Sequence, residues 1–377
     1  MWSYRKLWRL IEEMGLHLHR YKYLWAKCTR RETIINAWKK LRKGKTKRRK
    51  VKQIENDFDA WVDRMQEMMI NTYPGGNPAK MFEAPKHKVK YVFEHGKIRE
   101  IYRPGIIEQW VHHIVVQVLG PIIDKFSYKY SCGSMPKRGG VYGKNYLRKQ
   151  IKINHGFRYF AKLDIRHFFN HIRIDIVIEK LYTFIEDDWF MFLLKRIFMH
   201  FKVGMPLGFY PSQWLANFVL SQMDFMITRS RPIAYIRYVD DMVICDNSKK
   251  RLHEIIFKIK HELGKLRLKL KSNFQVIKFI YFSKGRPIDF MGFVFKRRNV
   301  ILRKRIIRGI VRMTNRIHSH NFISLSQARS ILSRFGWFKH TDCKRFFNED
   351  IKPLISIRSL KKIVRKSDTS PLLTFAS

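Results

Sequence analysis

Apolar positions along this chain follow two periods. In the middle, Ile233-Ala-Tyr-Ile-Arg-Tyr-Val-Asp-Asp-Met-Val-Ile-Cys245 runs apolar, β-branched and aromatic up to two adjacent acids and then resumes. That pattern predicts strand, tight turn, strand, with Asp240 and Asp241 at the turn. Phe157-Arg-Tyr-Phe-Ala-Lys-Leu-Asp164 predicts another strand ending in an acid, followed by Phe168-Phe169 and a helix. Tyr91 to Arg103 reads as a hairpin turning at His95-Gly96. Lys97, Arg99 and Arg103 then fall at even spacings on one face of its second strand. Leu266 to Lys271 alternates as a strand should, and Pro287 to Phe295 reads as a strand pair.

Helical spacing governs the rest. Met1 to about Trp38 and Ile54 to about Ile70 are predicted helices, and Ile107 to Leu119 another. A turn at Leu207-Gly208 enters an apolar helix reaching Leu220, and Leu252 to about Leu266 is a basic amphipathic helix. From Ile301 only helices are expected. Ile306, Ile310, Met313 and Ile317 line one face there, and Arg308, Arg312 and Arg316 line another, a face suited to phosphates. The loop Tyr73-Pro-Gly-Gly-Asn-Pro78 suggests a first boundary. The divisions expected are 1–85, a basic helical region; 86–300, a mixed region; 301–366, helical; and 367–377, a flexible tail. The fold class is α+β.

Charge changes this picture most. The chain has 377 residues with 77 Lys and Arg against 30 Asp and Glu, a formal charge of +47. Such an excess repels itself unless polyanions neutralise it, which makes nucleic acid the expected partner. The 29 Phe, 16 Tyr and 9 Trp argue for a large packed body or stacking surfaces, beyond what a small ribosomal-type binding protein needs. Ten of the fourteen residues from Lys39 to Lys52 are basic. Lys45, Lys47, Arg48, Arg49 and Lys50 there read as a phosphate-binding arm rather than a solvated loop.

Cys28, Cys132, Cys245 and Cys343 lie far apart without zinc spacing, which predicts reduced thiols and a cytoplasmic protein. No apolar run approaches the ~20 residues of a membrane span, and the basic N-terminus does not read as a signal peptide. His112-His113 face different ways on a helix and read as structural. The glycine-rich loop Ser131 to Gly143 matches no Walker pattern.

The acids carry the chemistry. Hard divalent cations want rigidly held carboxylate oxygens. Nucleotidyl transfer uses two such ions about 3.5–4 Å apart, one for the attacking hydroxyl and one for the leaving pyrophosphate. Asp164, Asp240 and Asp241 form such a set if their strands are adjacent. Taken alone, an acid such as Asp164 just after a strand is as well explained as a helix cap.

With these residues in order, the chain resembles a prokaryotic reverse transcriptase. Tyr238-Val-Asp-Asp241 is similar to the family's Tyr-x-Asp-Asp box, and Asp164-Ile-Arg-His-Phe-Phe169 to its first-aspartate motif. The resemblance implies a right-hand polymerase with fingers, palm and helical thumb behind a basic N-terminal region. It implies two Mg2+ ions (or Mn2+) at Asp164, Asp240, Asp241 and the Ile165 carbonyl. Phe169 would exclude a ribose 2′-hydroxyl. Lys97, Arg99 and Arg103 would hold the incoming dNTP, and Leu207, Gly208, Ser212 and Gln213 would contact template and dNTP. Lys271, or Lys269, would protonate pyrophosphate, and Met291, Gly292 and Phe293 would form the primer grip. Partners implied are dNTPs, a structured noncoding RNA template and the cDNA product, with an accessory protein or homo-oligomer to supply missing functions.

Leu207 and Gln213 depart from the commoner Gln and Pro of the motif. In this they resemble diversity-generating retroelements, with related antiphage defence enzymes as the alternative. Intact acids argue against an inactive RNA-binding relative. Phe169 argues against a ribonucleotide polymerase but not against untemplated DNA synthesis.

Overall fold

Ten strands in three sheets organise the described residues, which in this computed structural model are 20–87, 89–94, 96–153, 157–280, 284–319 and 322–369. The expected helix before Arg20, the turn residue His95 and the expected tail beyond residue 369 lie outside them; residues 367–369, expected to begin that tail, instead end the helix Ile357–Thr369. β1 (Val89–Glu94) and β2 (Lys97–Tyr102) form a separate hairpin. Its register puts Arg99 opposite Val92, with Lys97 and Ile101 on the same face.

The central sheet contains β3 (Ser131–Cys132), β4 (Tyr159–Asp164), β5 (Ala234–Tyr238), β6 (Asp241–Asp246) and β7 (Gln275–Lys278), in the order β3-β5-β6-β4-β7. Successive strand residues alternate between two cores, as a period of two requires. Ala161, Leu163, Tyr235, Met242 and Ile244 face the first core. Phe160, Ala234, Ile236, Val243 and Cys245 face the second. Both faces are therefore buried, which is why these strands read as nearly continuous apolar runs.

The first core joins this sheet to the N-terminal helices 24–28, 31–41, 49–56 and 58–71 through the long helix Ile106–Phe126. Trp38 lies 4.6 Å from Trp110, Phe58 stacks on Trp110 at 6.3 Å, and the Trp110 indole donates to the Ile34 carbonyl at 2.8 Å. The region expected at 1–85 thus shares its core with the sheet. The expected helix from Ile54 is two helices broken at Asp57, where φ is −136°. Helix Ile106–Phe126 is long and apolar enough to span a membrane, yet 61% of its apolar window is buried in the fold, the setting of a core helix.

The second core carries β8 (Ile288–Phe290), β9 (Phe293–Phe295), β10 (Val300–Leu302) and the C-terminal helices 304–318, 325–335 and 357–369. Residue 301 was expected to begin an all-helical region. It lies instead inside β10, paired with Val294 of β9. Helix 304–318 buries Ile310, Thr314 and Ile317 and leaves Arg308, Arg312 and Arg316 exposed. Ser324 and Gln327 form a capping box that starts helix 325–335.

The expected strand at Leu266–Lys271 is reduced to one bridge, Ile165 to Leu270. Leu266 and Leu268 are buried as alternation predicts, but Arg267 between them has φ 56°, which breaks the ladder. All four cysteines are free and buried, and His112 is fully buried.

Candidate active site

Register brings the three acids together. β4 pairs antiparallel with β6 so that Asp164 stands opposite Asp241, and β5 pairs with β6 so that Tyr238 stands opposite Asp241. Val239 and Asp240 are the two turn residues. The Lys271 ammonium forms an ion pair with the Asp164 carboxylate, and the Lys271 N–H donates to the Asp164 carbonyl at 2.9 Å. Ile165 faces Leu270 as a non-hydrogen-bonded pair, so its carbonyl points to the β6 side of the strand.

Burial and mutual repulsion dominate the electrostatics of this corner. Burial pushes the Asp241 carboxyl up from 3.8 to about 6, with the charges of Asp164 and Asp240 adding to it. Burial, and then Asp164, also raise Asp240, while Lys271 and Arg99 pull it the other way. Asp164 Oδ1 is buried with no hydrogen-bond partner. Among the described residues no group of three or more His, Cys, Asp or Glu is placed to hold a metal ion as the side chains stand. The Lys271 ammonium holds one Asp164 oxygen, the other is orphaned, and Asp240 and Asp241 resist ionising together. An all-carboxylate donor set with this unmet charge fits a hard divalent cation.

A buried network underlies the turn, and sequence reasoning missed it. Val239 sits at φ 57°, a left-handed conformation that costs a β-branched residue about 1–3 kcal/mol. Its N–H donates to the Cys132 carbonyl at 3.2 Å, and its carbonyl accepts from Arg237 Nη1 at 2.8 Å. A charge-assisted bond of this kind contributes about 1.5–3 kcal/mol, enough to offset the strain. Arg237 is fully buried and pairs with buried Asp224 through two bonds, Nε to Oδ1 at 2.8 Å and Nη2 to Oδ2 at 2.6 Å. Asn217 Oδ1 accepts from Arg237 Nη1 at 3.0 Å, and the Tyr235 hydroxyl donates to Asp224 at 2.6 Å. The signal in the sequence was Arg237 itself, a cation inside an apolar strand.

Other expected site residues fall into two groups. Phe169 lies on the short helix Phe168–His171, half-buried, and its carbonyl accepts from the Met205 N–H at 2.6 Å. The Leu207 carbonyl accepts from the Tyr102 N–H at 2.8 Å, tying β2 to this turn. Gly208 has φ +108°, and a Cβ there would meet the Tyr102 carbonyl oxygen at 2.0 Å, so only glycine fits. Arg99, Arg103 and Gln213 are exposed, and the Lys97 side chain lies outside the description.

The remaining expected residues differ in exposure and contacts. Ser212 is fully buried with its hydroxyl unpartnered. Phe293 is fully buried under Trp337, ring centroids 5.3 Å apart, and supports the β8–β9 turn from below. Met291 and Gly292 are that turn, at φ 51° and 84°. In the basic tract, Lys45 donates to Gln109 at 2.9 Å and Lys50 lies 4.6 Å over the Trp61 ring. Lys47, Arg48 and Arg49 are exposed, as the phosphate-binding reading requires.

A family model described as reverse transcriptase (RNA-dependent DNA polymerase) matches residues 85–295, more than half of the chain, and the chain belongs to this family. The Retron Ec73 reverse transcriptase of Escherichia coli is 23% identical over 226 residues. That alignment covers 55% of this chain and 66% of the relative, just under two thirds of its length. The resemblance to prokaryotic reverse transcriptases is thereby borne out.

Similar solved structures include telomerase from Candida albicans in complex with a TWJ fragment of telomeric RNA, at 13% identity and TM-score 0.46, covering 83% of this chain and 68% of that one. Apo telomerase from Candida tropicalis matches at 12% identity and TM-score 0.48, covering 74% and 55%.

The raised carboxyls set a pH dependence. A carboxyl raised in the fold binds its proton more tightly than in the unfolded chain. Its contribution to stability is therefore present below about 3.8 and lost as pH rises through about 6. A divalent cation should restore it. Millimolar Mn2+ should raise the melting temperature by a few degrees at pH 7.5, much less at pH 5, and not at all in Asp164→Asn. Calorimetry at the two pH values checks this, and an equal shift at both would remove the carboxylates as the cause.

Proposed function

We propose that the chain is an RNA-directed DNA polymerase that copies a structured noncoding RNA into cDNA. The observation that carries this reading is the register that sets Asp164 opposite Asp241 and beside Asp240, with Lys271 paired to Asp164. Two Mg2+ ions held by Asp164, Asp240, Asp241 and the Ile165 carbonyl would activate the primer hydroxyl and neutralise the leaving pyrophosphate.

The chain's own groups do the rest. Lys271, paired to Asp164 in this structure, would serve as the proton donor to the leaving pyrophosphate. Arg99, on the exposed hairpin, and Arg103, just past its end, grip the triphosphate of the dNTP; Arg99 already acts on the charge of Asp240. Phe169 blocks a 2′-hydroxyl. Arg308, Arg312 and Arg316 line the duplex product, and Lys47, Arg48 and Arg49 hold the RNA. Leu207 in place of an amide removes hydrogen bonds near the nascent pair. This favours the relaxed copying of a diversity-generating retroelement over the defence role.

Two substitutions test the reading. Asp240→Asn should abolish dNTP incorporation on a primed RNA template, measured by gel extension, while RNA affinity stays within about twofold. Continued synthesis would overturn the carboxylate assignment. Phe169→Ala should admit ribonucleotides in the same assay, and undiminished rNTP exclusion would place the gate elsewhere.

A further inference from the structure

Away from the carboxylates, a cavity of about 360 Å3 opens between the N-terminal helices and helix Ile106–Phe126. Buried Leu24 and Ile122 line it on the apolar side, and exposed Lys27, Arg30 and Lys125 on the charged side. Its lining among the described residues contains no acid. The size lies within the range of sites for small organic ligands, about 300–1,000 Å3.

Its walls are fixed. The Tyr21 N–H donates to the Phe184 carbonyl at 2.8 Å, and the Tyr21 carbonyl accepts from the Glu186 N–H at 3.0 Å. The Trp25 N–H donates to Asp187 at 2.9 Å and anchors the helix bearing Lys27. Lys125 Nζ lies 5.6 Å over the Tyr21 ring. Gln117 is loosely held. Its amide nitrogen donates to the Thr33 carbonyl at 3.5 Å, and its oxygen has no partner. Turning this oxygen to a donor in the cavity breaks only that long bond.

The ligand must meet all three features. Three cations around one mouth repel each other and call for an anion. Inorganic phosphate or a carboxylate would satisfy them but would leave the apolar wall and the Gln117 oxygen unmet. A nucleotide meets all three: phosphate for the cations, a flat base for Leu24, Ile122 and the Tyr21 ring, and a base N–H for Gln117.

We propose that this cavity binds a single unpaired nucleotide of an RNA strand, a recognition site separate from the carboxylate centre. The proposal rests on the reading of RNA as the chain's partner, but on no step of polymerisation.

Ultraviolet crosslinking of the full chain to a 12-nucleotide single-stranded RNA, with peptide mapping by mass spectrometry, tests it. A nucleotide adduct on Tyr21 is expected. It should fall at least tenfold in Lys27→Glu/Lys125→Glu and severalfold in Gln117→Leu, with circular dichroism melts unchanged. Competition by unlabelled RNA and not by AMP supports a strand as the source, and competition by AMP supports a free nucleotide. Absence of the adduct, its survival in the double variant, or displacement by inorganic tripolyphosphate as effective as by RNA would each overturn the proposal. Primer extension by the double variant on a short template should match wild type. Its loss would contradict the separation of the two sites, whereas the polymerase reading stands or falls on Asp240→Asn.

Discussion

The buried ion pair between Arg237 and Asp224 is the interaction on which the carboxylate turn depends. Two acids at one turn and a third across the ladder repel each other, and Val239 between the strands is strained. Arg237 spends one guanidinium nitrogen on the Val239 carbonyl and two on Asp224, so the strained turn is tied to helix 221–229 beneath the sheet. Asn217 extends the tie to helix 210–219, and its amide also donates to the Gly133 carbonyl at 3.1 Å. Gly133 in turn leaves room for Val239: a Cβ there would meet the valine at 3.0 Å. Fully buried charges of this kind add little net stability over apolar packing, but removing one partner alone costs about 3–5 kcal/mol. Their use here is geometric.

The sheet that bears the turn is clamped from both sides. Its first face shares a core with the basic N-terminal helices, and its second shares one with the C-terminal helices. Regions distinct in composition are therefore coupled through one set of strands. Trp38 and Phe58 against Trp110, and Lys144 donating to the His340 carbonyl at 3.0 Å, are the contacts that carry this coupling. Positive surface on the exposed arginines of helix 304–318 and on residues 47–49 is then displayed from elements packed on that shared sheet.

How much of this could be read beforehand depended on the range of the interaction. Asp164, Asp240 and Asp241 were legible because each interrupts a strand-like apolar run, and antiparallel pairing supplied the rest. The strand pair within Pro287 to Phe295 was legible from its apolar run, while Met291 and Gly292 stood out only through the family resemblance. Leu266 to Lys271 alternated correctly for burial, but a left-handed Arg267 ended the ladder, which alternation cannot reveal. Val300-Ile301-Leu302 is too short to stand out beside a helix of similar residues. Arg237 was visible, whereas Asp224 and Asn217 are ordinary polar residues on helices, and only the fold shows that they meet it. Ser212 and Phe293 matched motif positions whose burial no spacing could disclose.

The tie beneath the turn fixes the geometry of the carboxylates. It is tested most directly by the rate of primer extension in the triple variant Arg237→Met, Asp224→Leu, Tyr235→Phe, which replaces the buried charges by side chains of similar volume. A folded protein melting close to wild type is expected, with an extension rate at least about 100-fold lower, the cost of misplacing reacting groups by about 1 Å. A folded variant extending primers at the wild-type rate would contradict it.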